Sequence, residues 1–143
     1  MKPIVLIADG DAELCEIYQR FLGREGYEVV IASDGLDCLE QLRRVRPAAL
    51  VLDLGLHWGG GDGVLAWLRE ESAGPEVGVV LTATNGHRPG RAEDTGPPVV
   101  RFLPKPFALT ALLETVRAAV TNKGLAGPFD RHRTPPCSEL FIG

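Results

Sequence analysis

The chain has 143 residues, 15 basic and 19 acidic side chains, and a formal net charge of -4. That length is enough for one domain with a real core and leaves no room for a second folded unit, and an acidic balance without a basic stripe argues against nucleic-acid binding. Met1-Lys2-Pro3 runs straight into a short apolar stretch, too short for a signal segment or a membrane span, so a cytoplasmic location is expected. Cys15, Cys38 and Cys137 have neither CxxC nor metal-ligand spacing and read as reduced thiols, the first two as small helix-face residues.

Ile4 to Ala8 is an apolar run that ends at Asp9. Asp11 then has the chemistry of a helix N-cap, Leu14, Ile17, Phe21 and Leu22 recur on one helical face, and Gly26 stops the helix. Glu28 to Ala32 reads as a second strand. Leu36, Leu39, Leu42 and Val45 form a helical stripe closed by Pro47. The third run, Ala49 to Leu52, ends at Asp53. A glycine-rich loop from Gly55 to Gly61, its triple glycine Gly59-Gly60-Gly61 read as a flexible turn, leads to a short helix carrying Val64, Trp67 and Leu68 and ended by Gly74-Pro75. Val77 to Leu81 is the fourth strand, followed by Thr82.

Residues 84–98 hold Asn85-Gly86, Pro89-Gly90, Gly96 and Pro97-Pro98 with few apolar residues between. Proline and glycine cost a helix interior roughly 3 and 1 kcal/mol relative to alanine, so at most about two turns near Arg88 to Thr95 are expected. Val99 to Leu103 is the fifth strand, before Pro104-Lys105-Pro106. Leu109, Leu112, Leu113, Val116 and Val120 then mark an amphipathic helix. Residues 123–143, with Gly127-Pro128, Pro135-Pro136 and a terminal Leu140-Phe141-Ile142, read as an extended tail whose apolar end could dock, outside a domain of residues 1–122. Near-continuous apolar strands alternating with amphipathic helices predict an α/β fold with a doubly wound, five-stranded parallel sheet, flavodoxin-like in order 2-1-3-4-5.

In such a sheet, residues at the carboxyl ends of the strands converge on one crevice. Asp9, Asp53, Thr82 and Lys105 would therefore meet there. Their types, order and placement resemble the receiver domain of two-component response regulators, over about Met1 to Asn122. The resemblance implies that Asp53 is the phosphoacceptor, that Thr82 with Ala83 supplies the switch hydroxyl and its small neighbour, and that Lys105-Pro106-Phe107 is the Lys-Pro-Phe element. Phe102 falls at the rotating aromatic switch position. It further implies a Mg²⁺ ion on Asp9, Asp53 and the carbonyl of Gly55, with a sensor histidine kinase or phosphotransfer protein upstream and a downstream protein partner. A homodimer is left open. Phosphoryl transfer to a carboxylate needs its oxygens neutralised and the nucleophile held in line, and each matched residue has such a task.

Three departures accompany the match. The family's second acid after the first strand is Gly10 here, which removes a carboxylate that usually touches the metal, so weak Mg²⁺ binding is expected. Leu56-His57-Trp58-Gly59-Gly60-Gly61-Asp62-Gly63 is two residues longer than the family's loop and has no proline. Pro97-Pro98 replaces the usual Gly-Ala before the fifth strand.

The sequence reading favours a stand-alone receiver that is not an enzyme and has no fused DNA-binding output module. The alternative is a degenerate receiver, a phosphorylation-independent interaction module. A third reading takes Asp9-Gly10-Asp11 as the DxD of a haloacid dehalogenase-like phosphatase with Asp9 and Asp11 in catalysis, but Asp53 is then idle and no acidic pair follows Lys105. His57 and His87 could join Asp9 or Asp53 around a transition metal, although solvated loop histidines are far commoner. Gly59 to Gly61 lacks a following Lys-Ser/Thr and is not a P-loop; Trp58 beside it has the character of a partner anchor.

Overall fold

The computed structural model describes residues 1–58, 60–70, 77–84 and 96–121. In chain order these form β1 (Ile4–Ala8), α1 (Ala12–Arg24), β2 (Glu28–Ala32), α2 (Gly35–Val45), β3 (Ala49–Asp53), α3 (Gly60–Glu70), β4 (Gly78–Ala83), β5 (Val99–Pro104) and α4 (Leu109–Thr121). The strands make one sheet in the order β2-β1-β3-β4-β5, with every neighbouring pair parallel. The predicted flavodoxin-like architecture is the one observed. The helix considered near Arg88 to Thr95, and the tail of residues 123–143, lie outside the described residues.

Strand residues alternate between two cores, as the pleat requires. Val5, Ile7, Val51, Val80 and Leu103 face α1 and α4, where they meet Tyr18, Leu22, Leu112 and Val116. Leu6, Ala8, Leu50, Leu52, Val79 and Leu81 face the other way, against Cys38 and Leu42 of α2 and Val64 and Leu65 of α3. A sheet covered on both faces has no polar side to show, which is why its central strands read as continuous apolar runs.

Helix ends follow local chemistry. The Asp11 carboxylate accepts from the backbone amides of Glu13 and Leu14 and so caps α1 as expected, while Asp34 caps α2 by accepting from Asp37. Gly26, at φ 99°, lets the chain turn out of α1 into β2.

Two helical faces sit differently from their sequence reading. Ile17 is 48% exposed and Leu36 is 64% exposed. In α1 the fully buried row is Cys15, Tyr18 and Leu22, with Leu14 and Phe21 packed against it as read and only Ile17 turned out, and in α2 it runs through Cys38 and Leu42, with Leu39 against it. A thiol and a phenol carry weaker hydropathy signals than isoleucine or leucine, so periodicity alone placed Ile17 and Leu36 in the buried row. Strand β4 also runs further than read, through Thr82 and Ala83. The glycine run is not a free turn, because Gly60 and Gly61 already open α3.

Two glycines mark tight approaches. A Cβ on Gly35 would drive into the carbonyl of Trp58, whose own backbone is left-handed at φ 59°. A bulky residue in that region is uncommon, and the conformation costs roughly 1–2 kcal/mol. A Cβ on Gly78 would lie 2.5 Å from the Ala119 carbonyl, so α4 rests directly on the β4 backbone. Gly78→Ala is expected to lower stability by about 1–3 kcal/mol through overpacking, seen as an earlier urea midpoint; an unchanged midpoint would mean that α4 does not press on β4.

Candidate functional site

The four residues singled out from the sequence lie on three neighbouring strands and the loop that follows the edge strand. Asp9 follows β1 and its amide donates to the Ala32 carbonyl of β2 at 3.1 Å. Asp53 ends β3 and lies in register beside Thr82 of β4, and the Leu54 amide just beyond it donates to the Thr82 carbonyl at 2.9 Å. Lys105 follows β5, its amide donating to the Ala83 carbonyl at 2.8 Å. Parallel pairing in register therefore delivers all four to one edge of the sheet.

The side chains then form a compact charged group. Lys105 Nζ lies 2.6 Å from Asp9 Oδ2 and 3.8 Å from Asp53 Oδ2, an ammonium between two carboxylates. Asp9 and Thr82 are buried, at 5% and 2% exposure, whereas Asp53 keeps partial access to solvent. The other Asp9 oxygen, Oδ1, accepts from the Asp11 amide at 2.9 Å, so both oxygens of this carboxylate already have partners. At separations near 4 Å an ion pair at a partly desolvated surface is worth about 4 kcal/mol before desolvation is subtracted, enough to hold the lysine in the crevice.

Gly55 folds over Asp53 closely, its Cβ direction passing 3.6 Å from Asp53 Oδ2. A Cβ on Gly10 would meet only the Ser33 carbonyl, at an ordinary 3.6 Å, and its backbone needs no glycine. Phe102, on β5 beside Leu81, is partly buried against the α2 and α3 core. His57 is exposed, and its carbonyl accepts from the Gly35 amide at 2.8 Å. Among the described residues no three His, Cys, Asp or Glu side chains converge as a metal cage, and His87 lies outside them.

Two residues of α1 support the site in a way the sequence reading did not assign to them. Cys15 is buried beneath Asp9, and its thiol donates to the Asp9 carbonyl at 3.3 Å. Burial, and then the neighbouring Asp9 and Asp11 carboxylates, push that thiol up to about 11. Tyr18 is raised too, chiefly by burial and next by Asp9, and its ring stacks on Phe107 at 5.6 Å between centroids. The residue two beyond Lys105 is thereby tied to α1. Only the shared helical row of Cys15, Tyr18 and Leu22 could have pointed to this support.

A family model for the response regulator receiver domain matches residues 5–117. The chain belongs to that family. Response regulator MprA from Mycobacterium leprae (strain TN) is 35% identical over 114 residues, covering 80% of this chain and 49% of MprA. MprA from Mycobacterium ulcerans (strain Agy99) is 34% identical over 125 residues, covering 87% of this chain and 53% of the relative. The chain thus spans about half the length of these curated relatives. Among solved structures, the receiver domain of Francisella response regulator 1452 superposes with a TM-score of 0.75 at 21% identity, covering 85% of this chain and 98% of that one. Chemotaxis response regulator CheY4 of Vibrio cholerae gives a TM-score of 0.72 at 22% identity, covering 82% and 98%. These two likenesses speak for the fold. With the family settled and Asp11 engaged as an N-cap, the phosphatase reading of Asp9 and Asp11 falls away.

The Cys15 thiol carries a testable consequence. Its folded pKa is raised from 9.0 to about 11, so the native state holds the proton more tightly than the unfolded one. The stabilisation is complete below pH 9 and is lost as pH rises toward 11. Unfolding midpoints should fall over that window, and Cys15→Ala should lessen the fall, the remainder coming from Cys38 and Tyr18, which burial also raises. Peptide mapping should find Cys15 unalkylated by iodoacetamide at pH 8 until urea unfolds the chain.

Proposed function

We propose that this receiver accepts a phosphoryl group on Asp53 from a sensor histidine kinase or phosphotransfer protein and passes the signal on through protein contacts. The observation that carries the proposal is Lys105 Nζ held between Asp9 and Asp53, with Thr82 in register beside the acceptor. Asp53 is the nucleophile, since it alone of the two acids keeps both solvent access and the end of a central strand. Lys105 neutralises phosphoryl oxygens, and the Thr82 hydroxyl donates to the modified side chain. Phe102 follows Thr82 as the aromatic that repacks.

The donor set suits Mg²⁺, a hard cation that takes one or two carboxylates together with phosphate and water. Asp9, Asp53 and the Gly55 carbonyl would hold it, and the ion would neutralise charge on the transferring group. Because Asp9 is already shared between Lys105 and the Asp11 amide, and position 10 offers no acid, that binding is weak. The receiver of residues 1–122 is a signalling module rather than an enzyme, works in the cytoplasm, and reads out to a protein rather than to nucleic acid, in keeping with the net charge of -4. No helix among the described residues is long and apolar enough to cross a membrane.

A second reading has its own support. Gly10, and the full engagement of Asp9 without a metal, favour a degenerate receiver whose Asp53 no longer cycles phosphate. Intact mass after incubation with acetyl phosphate decides between them. A gain of one phosphoryl group that requires millimolar Mg²⁺ and disappears in Asp53→Asn is expected; no gain, while a conventional receiver in the same tube is modified, establishes the degenerate module.

Gly10→Asp isolates the metal. Position 10 accepts a Cβ at ordinary contact distance and has an unexceptional backbone, and the new carboxylate adds a hard ligand beside Asp9. Mg²⁺ should bind about tenfold more tightly, a gain of roughly 1.4 kcal/mol, measured by titration calorimetry. Equal affinity in the two proteins would place another group at that position already.

A further inference from the structure

The loop after β3 builds a surface that phosphoryl chemistry does not use. The Gly35 amide donates to the His57 carbonyl at 2.8 Å, and the Trp58 carbonyl fills the space that a side chain at position 35 would occupy. The lengthened loop is thereby latched onto the first turn of α2. Trp58 is left in the left-handed region at φ 59° with 71% of its surface exposed, and Leu36, the residue after the latch, is exposed too. Two large apolar side chains thus stand in water on adjoining backbones, one of them in a conformation that any glycine would adopt more readily.

Their surroundings specify a partner. Segments 33–37, 54–58 and 60–63 contribute Asp34, Asp37 and Asp62 and contain no lysine or arginine. Among the described residues, Lys105 at the same edge of the sheet is buried in its ion pair with Asp9. An apolar pair with an acidic rim repels anionic membranes and a second copy of itself, and complements a helix that alternates leucine with lysine. Tryptophan is also the side chain that most often anchors such contacts.

We propose that Trp58 and Leu36 form a docking surface for a basic amphipathic helix of a partner protein, seated at the start of α2 and the β3–α3 loop. The surface is present in unmodified protein, so it stands whether or not Asp53 accepts phosphate. The full chain is titrated against a fluorescein-labelled Leu/Lys amphipathic peptide of about 18 residues, with a Leu/Glu peptide of the same pattern as control. Anisotropy should report binding of the Leu/Lys peptide alone, weakened about tenfold between 50 and 500 mM NaCl. Trp58→Gly relieves the left-handed conformation, so it should raise the melting temperature while weakening binding at least tenfold. Leu36→Ala should weaken binding with an unchanged fold. Equal affinity in wild type and Trp58→Gly, equal binding of both peptides, or a wild-type dimer dispersed by Trp58→Gly would each overturn the proposal, the last in favour of a second copy as occupant.

Discussion

One ammonium set between two carboxylates at the edge of the sheet governs much of this molecule. Lys105 approaches Asp9 to 2.6 Å and Asp53 to 3.8 Å, and all three side chains are largely withdrawn from water. Two like charges in that position would repel without the lysine, and a lysine there would be costly without the acids. The need to keep the three together accounts for features far from them in sequence. β5 must pair with β4 to bring Lys105 to the edge, and the Ala83 carbonyl holds its amide there. The Phe107 ring anchors the same loop to Tyr18 of α1.

The distances also say how this receiver is poised. The lysine lies nearer to Asp9 than to Asp53, and the group of three charges is net negative by one. A second acid at position 10 would make it more negative and more attractive to a divalent cation. With glycine there, Asp9 satisfies its two oxygens from Lys105 and the Asp11 amide. Any ligand that needs the Asp9 carboxylate must compete with these two partners.

Beside this centre, the loop from Leu54 to Asp62 has a different physical character. Gly61 fits against the backbone of Leu54 and Asp53, so the start of α3 packs tightly against the end of β3. Just before α3, Trp58 is exposed, held by backbone contact with Gly35 rather than by burial of its ring. Arg43 covers the other tryptophan, Trp67, at 5.5 Å from the ring centroid, which shows what α2 and α3 do with an aromatic that belongs to the packing between them. The contrast between the two rings is one of environment, not of residue type.

Five apolar runs bounded by Asp9, Asp53, Thr82 and Pro104-Lys105 determined the sheet, its parallel order and the residues at its carboxyl edge, because strands buried on both faces must be apolar throughout and strand ends must collect at one side. Local chemistry determined the caps as well, since Asp11 needs only the next three residues to act. Tertiary structure decided what depends on neighbours distant in sequence. It centred the buried rows of α1 and α2 on Cys15, Tyr18 and Cys38, left Ile17 and Leu36 in water, and put the glycine run into the first turn of α3. It also decided which acid the lysine prefers. Helical periodicity gives a face only to within one residue, and an ion pair's geometry depends on the positions of three separate strands; neither quantity is local, so neither could be read before the chain was folded.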